Sequence, residues 1–86
     1  MDSVKNICDM LDIAYDAVAD IPKITVLGER EIYVENFVSL EEYKNSNIKL
    51  KCKKNVIVIE GEGFVIKGIK EGCIFIDGRI TNLKFI

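Results

Sequence analysis

The residues able to do chemistry in this chain are carboxylates, three serines, three cysteines and a lysine-rich stretch; histidine is absent. Glu29, Glu31, Glu35, Glu60, Glu62 and Asp77 are the carboxylates that fall among predicted strands and turns. A glycosidase-like pair needs two of them facing across a cleft. Most instead flank turns, where a charge is simply solvated. Ser3, Ser39 and Ser46 have no histidine to act as their base. Cys8, Cys52 and Cys73 are odd in number and far apart, with no C-x-x-C spacing to start a zinc site. Cys52 and Cys73 sit in apolar strand patterns, where a thiol serves as a small core hydrophobe. Reduced thiols fit a cytosolic setting. No nucleophile–base or metal set can be assembled, so the expectation is a protein without catalysis and without a cofactor.

The lysines belong to residues 47–66, N-I-K-L-K-C-K-K-N-V-I-V-I-E-G-E-G-F-V-I. Ile48, Leu50 and Cys52 alternate with Lys49, Lys51 and Lys53, as a half-buried strand requires. Lys54-Asn55 then makes a turn, and Val56-Ile57-Val58-Ile59 is apolar on both faces, which predicts a strand covered on two sides. The lysine face reads first as solvated protection of a sheet edge. Its functional alternative is a surface for an acidic partner, a small ligand or anionic headgroups, carried by Lys49, Lys51, Lys53 and Lys54. Gly61-Glu62-Gly63 is no phosphate loop, since no Lys-Ser/Thr follows and no helix starts there; it reads as a turn.

The elements that hold these residues follow from the periods. Val4, Ile7, Cys8, Leu11, Ala14, Tyr15 and Val18 recur at three and four, which predicts an amphipathic helix over residues 3–20 with an acidic opposite side. Pro22 ends it. That helix has two readings, a cover packed across the sheet or a dock for a partner. Residues 24–27 and 32–35 then form a hairpin around Gly28, and residues 36–46 read as a short strand with a loop. Phe64-Val65-Ile66-Lys67-Gly68-Ile69 is a further strand, Glu71-Gly72 a turn, and Cys73-Ile74-Phe75-Ile76 a strand apolar on both faces. Asp77-Gly78 predicts a type I′ hairpin into a last strand, residues 79–86. The expected fold is mainly β, a small antiparallel sandwich or roll with one N-terminal helix. Its organisation is a helix and linker over residues 1–22 and a β domain over 23–86.

Hydrophobic content of 49% beside 30% charged places the chain among globular proteins, and 86 residues make a single core only just sufficient. Surface left over is then expected to be buried by a partner or a second copy. A net charge of −2 argues against non-specific nucleic-acid binding. No apolar run approaches the ~20 residues that span a bilayer, and the start M-D-S-V-K-N-I-C lacks the pattern of a signal peptide. These features predict a cytoplasmic chain.

Taken in order, I-P-K-I-T-V-L-G, E-I-Y-V-E-N, I-V-I-E-G-E-G-F-V-I-K-G-I and I-F-I-D-G-R-I-T-N-L-K-F resemble the YabP/YqfC family of sporulation proteins of endospore-forming Firmicutes, and within it the YqfC branch. The similarity runs from about Ile13 to Ile86; Phe37-Val38 depart from it, standing where the pattern is more polar. The resemblance implies a non-enzymatic β domain made in the mother cell, acting at the forespore surface in building the spore coat and cortex. It also implies a homodimer formed through the sheet and other sporulation proteins as partners, a membrane-bound one among them. The interaction residues expected are Val56, Val58, Phe64, Phe75 and Tyr33, with Lys49, Lys51 and Lys53 on the alternative lysine face.

Overall fold

The computed structural model describes residues 20–86, and the helix predicted over residues 3–20 lies outside them but for Asp20. The described part is six strands in one antiparallel sheet: β1 (Lys23–Leu27), β2 (Glu31–Glu35), β3 (Ser39–Lys44), β4 (Asn47–Lys51), β5 (Val56–Lys70) and β6 (Cys73–Phe85). Their order across the sheet is β1-β2-β6-β5-β4-β3. Residues 36–46, expected to hold a short strand with a loop, supply β3, paired with β4. A register shift between Leu40 and Glu42 in the β3–β4 ladder is the local irregularity there.

Two predicted turns are not turns. Gly61-Glu62-Gly63 and Asp77-Gly78 both lie inside long strands, β5 and β6, which pair along their whole length. The glycines serve a crossing. A Cβ on Gly61 would overlap the Arg79 carbonyl oxygen and stand 2.7 Å from the Phe64 ring. One on Gly78 would meet that ring at 2.6 Å and the Gly63 carbonyl at 3.0 Å. Gly63 and Gly78 also take positive φ, 65° and 149°. Register shifts between Glu60 and Gly61, Glu62 and Val65, and Ile66 and Gly68 complete the bend. Each such irregularity twists and bends its strand.

The bend folds the sheet into two leaves. One leaf is β1, β2, residues 73–77 and residues 65–70; the other is β3, β4, residues 56–61 and residues 79–85. Ile32, Val34, Ile74 and Ile76 from the first pack with Ile48, Leu50, Ile57 and Ile59 from the second in one core, each at most 1% exposed. Phe64 joins them from the crossing, and Phe37 and Cys52 from the connecting segments. The sheet therefore rolls over onto itself, with β1 and β3 as its edges, and this is how so short a chain buries much of both apolar leaf faces.

Hydrogen bonds outside the ladders tie the two leaves and their connections together. The Phe64 N–H donates to the Asn45 carbonyl at 2.8 Å, and the Tyr43 hydroxyl donates to the Phe64 carbonyl at 2.9 Å. Asn36 takes φ 69° and its N–H donates to the Gly72 carbonyl at 2.6 Å, so the Glu71-Gly72 turn is tied to the end of β2. The β1–β2 tip is bonded too: Gly78 N–H donates to the Arg30 carbonyl and Ile80 N–H to that of Glu29.

The crossing makes a prediction. Gly61→Ala and Gly78→Ala force a methyl against backbone and ring, and each should destabilise by about 2–4 kcal/mol. Gly68→Ala meets nothing within 4 Å and should stay within about 0.5 kcal/mol of the parent. Urea denaturation of the three variants checks both halves.

Candidate functional site

Because the inner faces share one core, the outer faces of the two leaves point away from each other. The predicted interaction residues divide between them. Tyr33 and Phe75 lie on the outer face of the first leaf. Lys49, Lys51, Val56 and Val58 lie on that of the second. Phe64, 1% exposed, belongs to the core, and Lys53 sits in the β4–β5 connection. The eight do not form one surface.

On the second leaf the register sets Glu42, Lys49, Val58 and Lys84 in one row and Lys44, Asn47, Glu60 and Asn82 in the next. Val58 is only 3% exposed yet lies outside the core cluster. Its neighbours across the sheet are Lys49 and Lys84. The charges are largely matched. Glu60 accepts from Asn82 Nδ2 at 2.8 Å and faces Lys84 Nζ at 3.6 Å, while Asn47 Nδ2 donates to Glu42. Glu42, Asn47, Glu60 and Lys84 rim an open concavity of about 580 Å³ with Lys44, Lys49 and Thr81. Lys53 is held by Asp20 at 2.8 Å, and this bond lowers the Asp20 carboxyl below its ordinary pKa.

The outer face of the first leaf has a different character. Its central row is Thr25, Tyr33, Phe75 and Gly68. The Tyr33 and Phe75 rings meet edge to face, centroids 6.2 Å apart at 90°. Gly68, next in the row, has open space where a side chain would stand. The result is a mostly apolar notch of about 260 Å³ between the aromatic pair, Cys73, Ile69 and Lys70. The Cys73 thiol beside the Tyr33 hydroxyl raises the phenol's pKa, with burial adding to it. Cys73 therefore faces outward, half-buried, and only Cys52 is the core thiol expected of both. Burial raises the Cys52 pKa. Above the next row, Glu35 is 3% exposed with Lys23 Nζ at 3.8 Å.

Sequence reasoning missed the notch. Its signal was the glycine inside an apolar strand, I-K-G-I, which marks a bulge or a close approach. Among the described residues no three His, Cys, Asp or Glu side chains are grouped as a metal site, and no helix is long and apolar enough to cross a membrane.

A one-sheet roll with an aromatic outer face and a charged one is a small β module with two distinct surfaces. The YabP family pattern matches residues 19–86 of it. The uncharacterized protein YqfC of Bacillus subtilis (strain 168) is 33% identical over 76 residues, covering 88% of this chain and 82% of that protein. The chain belongs to the YabP family.

Glu60 gives a pH prediction. The Asn82 hydrogen bond and then the Lys84 charge lower its carboxyl below the ordinary 4.5. A depressed folded-state pKa stabilises above the unfolded value, and that contribution is lost as the pH falls through the folded one. Glu60→Gln should therefore flatten the acid limb of stability slightly, between roughly pH 5 and pH 3, and leave the slope above it unchanged. Denaturation midpoints across that range measure the effect.

Proposed function

We propose that this protein is a non-catalytic adaptor in endospore assembly, working in the mother cell at the forespore surface, and that it self-associates and docks partners through the outer face of its first leaf. The observation that carries the reading is the Tyr33–Phe75 pair beside the empty position over Gly68. An aromatic anchor next to an apolar notch is the arrangement that concentrates binding energy at protein interfaces. Membership of the YabP family supports the sporulation context. The charged face of the second leaf supports the docking role less, since Lys84 and Lys53 are already engaged with Glu60 and Asp20. A homodimer formed on the aromatic face would leave that charged face free for a second protein, a membrane-bound sporulation protein included.

Gly68→Phe fills the notch without touching the core. Light scattering of the full chain should give a dimer for the parent and a monomer for Gly68→Phe, with unchanged secondary structure. The dimer should persist as salt rises to about 0.5 M, because apolar contacts are not screened. In cells, deleting the gene should lower the heat-resistant spore count at least tenfold, and the parent gene, not Gly68→Phe, should restore it. A monomeric parent together with full complementation by Gly68→Phe would remove the aromatic face from the reading. Association that fades steeply with salt would move it to the lysine face.

A further inference from the structure

The notch over Gly68 and the ring that borders it lie side by side on neighbouring strands. Phe75 on β6 is the ladder partner of Gly68 on β5, so one strand carries a ring where the other carries no side chain. Tyr33 stands on the far side of Phe75, on β2, with its ring edge-on. The Phe75 ring therefore has support on one side and open space on the other. That space is about 260 Å³ and mostly apolar; a cavity of about 150 Å³ already holds a benzene ring. Beside it on β5, Val65 and Ile69 are 50% and 54% exposed.

Building on the self-association proposed above, we infer that the notch is filled by Phe75 of a second copy, each copy plugging the other. A two-fold axis parallel to the strands and midway between β5 and β6 achieves this. It lays β6 of each copy over β5 of the other, so each Phe75 stands over the other copy's Gly68 in an isologous contact. The strands of the two copies run along one line, the aligned packing that sheet faces adopt. The flanking rows agree with this axis. Val65 pairs with Asp77 and Lys70 with Cys73 in the ladder. Asp77 of one copy therefore meets Val65 of the other, and Lys70 meets Cys73, so no like charges face each other.

The other axes fail. An axis midway between β2 and β6 sets Glu31 of each copy against Asp77 of the other, carboxylate on carboxylate, and leaves only the short Thr25 over Gly68. One between β1 and β2 leaves the notch outside the contact. One running across the strands along the central row sets notch against notch, a void that a well-packed interface core does not keep.

Two substitutions that each weaken the dimer should therefore complement one another. Gly68→Phe sets ring against ring and should be monomeric. Phe75→Ala sets hole against hole and should raise the dimer dissociation constant at least tenfold. Mixed in equal amounts, the two should form a heterodimer, because one copy then carries both rings and the other neither. Native mass spectrometry separates it from either homodimer, and circular dichroism checks that each variant is folded. The double variant Gly68→Phe/Phe75→Ala, with ring and hole exchanged, should dimerise again. Val65 tests the same axis from the flank: Val65→Asp, facing Asp77, should raise the dissociation constant at least tenfold above that of Val65→Lys. The Val65 comparison decides alone if Phe75→Ala does not fold. A parent dimer whose folded single variants form no heterodimer, or Val65→Asp and Val65→Lys behaving alike, would overturn this pairing and leave association through the aromatic face standing. A monomeric parent would overturn both.

Discussion

The fold depends on one close approach, the crossing of β5 and β6 around the Phe64 ring. Two strands can bend together through a buried aromatic only if the backbone opposite it has no side chain, and Gly61 and Gly78 meet that condition. The ring then fills the corner that the missing side chains leave, and both backbone groups of Phe64 are bonded to the β3–β4 hairpin. Buried polar backbone satisfied in this way costs little to keep inside. Without the crossing the sheet would lie open, with one apolar face in water. With it, a chain of modest length encloses a core built from both halves of a single sheet.

The same bend decides what the surface offers. Folding the sheet turns its two outer faces in opposite directions, and sequence alternation gives them different chemistry. One carries Tyr33, Phe75 and the space over Gly68; the other carries lysines and glutamates arranged in matched rows. Residues that look like a single greasy strand when read along the chain, such as Val56-Ile57-Val58-Ile59, are split by the pleat between core and surface. Val58 lies between Lys49 and Lys84 in its row.

Much of this was legible in the sequence. The period-2 runs located β1, β2, β4 and the cores of β5 and β6, and Glu71-Gly72 was correctly a turn. The errors share one cause. Asp-Gly and Gly-x-Gly are turn signals because glycine relieves local strain, but glycine also permits close contact between distant segments, and spacing along the chain cannot distinguish the two. Gly61 meets Arg79 and Gly78 meets Phe64, contacts that exist only in three dimensions. The candidate surface suffered likewise. Tyr33 and Phe75 were both named, but that they adjoin each other and Gly68 depends on the β2–β6 and β5–β6 registers, which nothing local encodes.

The connectivity also sets an order of assembly. Nearly every ladder joins strands adjacent in sequence: β1 with β2, β3 with β4, β4 with β5, β5 with β6. Such hairpins close short loops and form quickly. The β2–β6 ladder alone reaches across most of the domain. A meander of residues 39–85 can therefore organise first, and the β1–β2 hairpin docks last. Its arrival is registered at both ends, by Asn36 on the Gly72 carbonyl and by the Arg30 and Glu29 carbonyls on Gly78 and Ile80. The Tyr33–Phe75 face spans that final seam, so the surface proposed for binding comes into existence only when folding is complete. An unfinished chain has no such face to present.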